Sequence, residues 1–256
     1  MPHLLIERVR SCPALHGVPG LRVERSGLGA CLIEVVDIVA AVIFVAGSIC
    51  FLPSYAVSLK TFILGCYLFV LGSVLYCLIC GFALAEALAT KGVAAFEVLE
   101  NGLYLLGSAM FLVGSLLYLP PDHQYRLMPD MGGPMSLGQI CETVTFLEKQ
   151  FAGAVLFVTG SMLFTGAAFG NLLKRRKADD WILSAVASLY MAGSVLFAVG
   201  SLAFIPRLGC GEQLLLLGAW GFIVGSALFL LGGCLSLWRT LRVLSSKEGE
   251  FEALVR

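Results

Sequence analysis

Acidic side chains are few in this chain, and several stand at the mouths of long apolar runs. Glu34 and Asp37 open the first run, while Glu97, Glu100 and Asn101 open the third. An ionisable residue inside a bilayer is a functional candidate by default. Asp37 and Glu100 are the deepest of these carboxylates, so Asp37, Glu100 and Asn101 form a candidate ion or proton site. A plainer reading stands beside it, because carboxylates at helix N-termini are stabilised by the helix dipole and lie near headgroup water. Cys77 and Cys80 make a Cys-x-x-Cys. Redox or metal chemistry there needs a thiol activated by a helix N-terminus or a nearby cation, whereas this pair sits among Leu and Ile towards a helix C-terminus, so the spacing is read as chance. His3, His16 and His123 all fall outside the apolar runs, which argues against haem or copper ligation within a membrane. No phosphate-cradling glycine loop, nucleophile elbow or His-Glu-x-x-His is present. No catalytic residue, metal or cofactor is therefore expected, and an enzyme is the least supported class.

A second set of polar residues repeats. The pattern Phe-x-x-Gly-Ser-x-x-(Phe/Tyr) occurs six times, centred on Gly47-Ser48, Gly72-Ser73, Gly114-Ser115, Gly160-Ser161, Gly200-Ser201 and Gly225-Ser226. Another small residue lies seven positions before each of these glycines: Ala40, Gly65, Gly107, Gly153, Gly193 and Gly218. Offsets of three, four and seven fall on one helix face, so each copy predicts a helix with a grooved small-residue stripe edged by aromatics. The serines could line a hydrophilic path. The simpler reading is that each hydroxyl bonds the carbonyl one turn back or a neighbouring helix, as buried serines in lipid do. These twelve Gly and Ser residues are read as a helix-packing motif.

Composition says where such helices stand. Of 256 residues, 59% are hydrophobic and 13% charged, with a mean hydropathy of +0.92. A water-facing domain carries about 25% charged residues, so the surface here is built for lipid. The formal net charge is zero, which disfavours nucleic acid as a partner. Nine cysteines, mostly in apolar stretches, are not a secreted disulfide framework; Cys141 and Cys210, both expected on the side away from the termini, are the one pair that could bridge in an oxidising compartment.

The fold class expected is all-α: a polytopic membrane protein of six transmembrane helices arranged as three tandem hairpins. A polar N-terminal tail covers 1–30 and a membrane domain 31–238, with hairpins near 33–83, 98–173 and 182–237. An insertion at 120–149 and a polar C-terminal tail at 239–256 complete the chain. In the odd spans the repeat extends to Pro53, Pro120 and Pro206, where proline should stop the helix as it leaves the lipid; the even spans lack it. Measured from the shared turn, small residues come level in antiparallel pairs, Gly47 with Gly65 and Ala40 with Gly72, then Gly200 with Gly218 and Gly193 with Gly225. Thirteen of the 17 Lys and Arg, including the run Lys174 to Lys177, lie on the side of the termini. By the positive-inside rule both termini face the cytosol.

Three two-helix units closed by prolines suggest a mitochondrial carrier, but the acidic-then-basic residues that follow such prolines are missing after Pro53, Pro120 and Pro206. A closer likeness is to the YrhK-like domain, a small membrane domain of helix pairs with repeated Phe-x-x-Gly-Ser steps. Ala41 to Pro53, Ser108 to Pro120 and Ser194 to Pro206 resemble its first helix. Gly65 to Tyr76 and Gly218 to Phe229 resemble its second, and Glu97-Val-Leu-Glu100-Asn101 resembles its acidic lead-in. The resemblance implies a membrane fold of tandem helix pairs and no particular activity. The function expected is a non-enzymatic structural or interaction component of its membrane, whose partners are the lipid bilayer and other membrane proteins or itself. The alternative is a small-solute or ion transporter or channel that uses the acidic cluster at the cytosolic ends of the first and third spans. A polar cavity reaching mid-membrane would mark the transporter; a dry, filled centre would mark the packing protein.

Overall fold

An α-helix turns about 100° per residue, so each Gly-Ser step sets two small side chains about 100° apart. The Phe three residues before the glycine and the aromatic four after it project at about 60° and about 40°, between those two directions. Each helix thus offers two narrow faces with an aromatic ridge bisecting them. Helices of that shape satisfy both faces by closing into a ring with the ridges pointing at its axis.

The computed structural model describes residues 27–56, 58–91, 95–119, 144–175, 181–205 and 212–255. The helices are α1 (Gly27–Cys50), the short α2 (Pro53–Ala56), α3 (Leu59–Lys91), α4 (Phe96–Leu117), α5 (Val144–Arg175), α6 (Trp181–Ala203) and α7 (Glu212–Val255). All but α2 are long and apolar enough to cross a membrane, which makes six candidate spans in an all-α fold. In sequence order each long helix packs against the next, and α7 packs back against α1. The result is a closed six-helix ring, with outgoing helices α1, α4 and α6 alternating with returning helices α3, α5 and α7.

The outgoing helices end at Cys50, Leu117 and Ala203, each three residues before the repeat's proline. A final tight turn closes them, with Phe51 N–H bonding Ser48 C=O at 3.1 Å and Phe204 N–H bonding Ser201 C=O at 3.2 Å. Pro53 itself opens α2, a position where its missing N–H is not needed. Pro120 and Pro206 lie outside the described residues. The returning helices run longer. Helix α7 continues to Val255 through the segment expected as a polar tail, because that segment holds no proline and is rich in Glu, Leu and Arg.

The axis is filled with aromatic rings in layers. Phe69, Phe157 and Phe222, one from each returning helix, form a triangle with centroids 5.7–6.2 Å apart. Phe44, Phe111 and Phe197 from the outgoing helices make the adjoining layer, and Phe44 meets Phe69 edge-to-face at 5.0 Å. Phe51, Tyr118 and Phe204 cap one side of this stack; Tyr76, Phe164 and Phe229 cap the other. The outer surface carries Leu32, Leu78, Leu99, Met162 and Trp220, all exposed, while serines are buried inside. Apolar side chains outward and hydroxyls inward is the arrangement lipid solvent demands.

Candidate functional site

The glycines of each pair of sequence-adjacent helices meet at close quarters. A methyl built on Gly65 would come within 3.2 Å of the Gly47 carbonyl oxygen, and one on Gly200 within 2.9 Å of the Gly218 oxygen. Gly193 and Gly225 oppose each other at 2.9 and 3.0 Å, and Gly72 lies against the Phe44 ring. The middle hairpin keeps the same scheme across its insertion: Gly114 faces Gly153, and Gly107 faces Gly160. The following serines turn to the other side. Ser48 lies 3.3 Å from Ser226 across the α1–α7 seam that closes the ring. Ser48, Ser115 and Ser201 donate to the carbonyls of Phe44, Phe111 and Phe197 at 2.6–2.7 Å. The sealed hydroxyls of Ser73 and Ser161 have no hydrogen-bond partner among the described residues.

Two small cavities interrupt the aromatic stack, each with about 20 Å³ of free space. One is bounded by Phe51, Phe62, Phe69, Phe157 and Phe222, the other by Phe44, Tyr76, Phe111, Phe164 and Phe197. Each is about the size of one water, and ring faces make up most of both linings, with Ser115 at the first and Ser73 and Ser108 at the second.

Polar chemistry concentrates at the end of the ring where α1 begins. Asp37 is fully buried and accepts a hydrogen bond at Oδ2 from the Tyr190 hydroxyl of α6. Gly233 of α7 stands behind it; a methyl there would lie 3.1 Å from the same oxygen. Tyr76 of α3 faces the carboxylate from another side. One turn nearer the end, Glu34 accepts from Ser236 at 2.9 Å and from Thr240 at 3.4 Å, both on α7. Glu100 of α4 accepts from Asn171 of α5 at 2.7 Å. Asn101 donates to the carbonyl of Glu97, one turn back on its own helix, at 2.8 Å. Asp37, Glu100 and Asn101 therefore take partners on different helices: Asp37 joins α1 to α6, Glu100 joins α4 to α5, and Asn101 serves α4 alone. Replacing Asn171 by leucine removes a donor from a buried carboxylate, and a loss of about 1 kcal/mol is expected. Denaturant titration in detergent, with Phe169→Leu on the exposed face as control, measures it.

Nothing in their residue types marks Tyr190, Gly233 and Asn171, whereas Tyr76 is the closing aromatic of the second copy of the repeat. Superposing the repeats marks the spot: the position ten before the central glycine holds Asp37 in the first unit, Tyr104 in the second and Tyr190 in the third. The repeat departs from an aromatic there once, at the aspartate.

Cys77 and Cys80 are not joined in a disulfide; Cys80 is buried and lies 3.7 Å from Ser108 of α4, a packing contact between helices. Among the described residues no group of three or more His, Cys, Asp or Glu is placed to hold a metal. Cys141, Cys210, the insertion at 120–149 up to residue 143 and the Lys174 to Lys177 side chains lie outside what is described.

Neither a curated protein nor a solved structure matches the chain. The profile of the YrhK-like proteins matches it three times in tandem, over residues 31–86, 94–176 and 182–241, so that each match takes in one hairpin of the ring. On that threefold match, covering most of its length, the chain belongs to the YrhK-like protein family.

Proposed function

We propose that this protein is a non-enzymatic structural or interaction component of its membrane, a sealed helical ring with both termini on the cytosolic side. The observation that carries the reading is the axis, where phenyl rings from all six spans pack around spaces of about 20 Å³. A conduit needs a wetted path and groups that bind and release a solute near mid-membrane. Here the mid-membrane layers are phenylalanine, and the carboxylates lie to one side, engaged by hydroxyl and amide donors. The excess of Lys and Arg on the side of the termini supports the orientation.

The test is flux through proteoliposomes holding the full chain, under H⁺, Na⁺ and K⁺ gradients. Leakage equal to that of empty liposomes is the expected result. Flux above that level which falls in Asp37→Asn or Glu100→Gln would overturn the reading in favour of a transporter.

A further inference from the structure

We propose that the outer groove between α6 and α7, at the end of the ring where α1 begins, binds the headgroup of an anionic phospholipid, with Arg242 on its phosphate and Trp181 and Trp238 as its walls.

The height of this groove follows from the glycine contacts. Gly193 of α6 opposes Gly225 of α7, and Gly193 stands near the middle of the 23-residue α6. Trp181 lies twelve residues from Gly193, and Trp238 thirteen from Gly225, towards the same end. At 1.5 Å per residue both are about 18 Å from the glycine pair and level with each other. Half of a hydrocarbon core is about 15 Å, so the two rings stand at the headgroup border, where tryptophan is at home. Both are exposed, and they are two of the chain's three tryptophans.

The arginines are turned to the same groove. Gly232 meets Tyr190 of α6, and Arg239, seven residues on, falls on that face of α7 and is buried. Arg242 is exposed one turn beyond Trp238, yet its guanidinium lies 5.1 Å from the centroid of the Trp238 ring. An arginine serving only as an anchor would reach for water. This one is folded back on an indole face and held at the height of the lipid phosphates. Glu34 approaches α7 from the opposite flank, through Ser236 and Thr240. The link from α5 to α6 adds Lys174, Arg175, Arg176 and Lys177 against Asp179 and Asp180, so the balance of charge around the groove is positive. A zwitterionic headgroup brings its own ammonium into that field, whereas a net-negative one does not, which selects the anionic lipid.

Quenching of tryptophan fluorescence by brominated lipids tests this on the full chain in vesicles at physiological salt. A Trp220→Phe background removes the tryptophan that lies nearer the other end of α7 on the lipid face. The reading is the ratio of quenching by brominated phosphatidylglycerol to that by brominated phosphatidylcholine, which cancels changes in the indoles' own brightness. Phosphatidylglycerol is expected to bind at least fivefold more tightly. Arg242→Gln, at an exposed position, should lower that preference about fivefold, the worth of one arginine at an anionic surface. Lys60→Gln, an exposed cation at the opposite end of the ring, should leave it unchanged. Equal binding of the two lipids, or a preference that ignores Arg242→Gln, would overturn the proposal. So would a preference abolished by inorganic phosphate, which would make the groove a site for a soluble anion. None of these readings depends on whether the ring conducts.

Discussion

Gly200→Val is expected to unfold the ring or leave it badly destabilised, by about 3 kcal/mol or more. The first added carbon would lie 2.9 Å from the carbonyl oxygen of Gly218, which is backbone and cannot rotate aside, and 3.1 Å from the Phe222 ring. Relief requires α6 and α7 to separate. Separation would pull Phe197 and Phe222 out of the stack they share with the other hairpins. Lipid offers no hydrophobic drive to restore the contact, so the lost van der Waals packing is not regained elsewhere. Gly166→Ala is the control, because nothing stands within 4 Å of a methyl at that site and alanine is the better helix former. Denaturant titration in mixed micelles, read with monodispersity on size exclusion, should show a large loss for the first and none for the second.

Phe197→Ala should follow, at about 2 kcal/mol. In a water-soluble core a buried Phe→Ala change costs about 3–5 kcal/mol through lost transfer energy plus the cavity left behind. In a bilayer the transfer component largely disappears, because acyl chains are as apolar as the core, and the cavity and dispersion losses remain. Phe197 is 1% exposed and touches Phe44, Phe69, Phe111, Phe222 and Phe229, so its removal opens a void that no single helix can close. Leu116→Ala, on the lipid face, should change stability by a few tenths of that. A near-equal loss for the two would mean that the ring is held at its seams rather than at its axis.

Helix number, helix hairpins and the stops of the outgoing helices were legible because they depend on local chemistry. Apolar length sets a span, and a proline just beyond it disfavours the helix continuing. The facing glycines were legible for a similar reason: two antiparallel helices joined by a short turn have only one way to match levels. The ring was also written in the pattern, in the 100° between Gly and Ser with the aromatics between them, whereas the spacing alone suggests a single small-residue stripe edged by aromatics. Closure depends on the α1–α7 seam, where Ser48 meets Ser226, and no local rule reaches across 178 residues.

The candidate site divides in the same way. That Asp37 and Glu100 are buried at membrane depth follows from their places in the apolar runs. Which partners they take does not, because Tyr190 and Asn171 come from helices whose neighbours are fixed only once the ring shuts. By itself, then, the sequence determined six lipid-facing helices, their pairing into repeats and the residues that let pairs approach. The tertiary structure decided that three pairs become one closed wall around a phenyl-filled axis. It also decided that the lone aspartate in the repeated aromatic position meets a tyrosine and a glycine from two other helices. Helical periodicity acts over a few residues, whereas the identity of a buried carboxyl's neighbours is a property of the assembled ring.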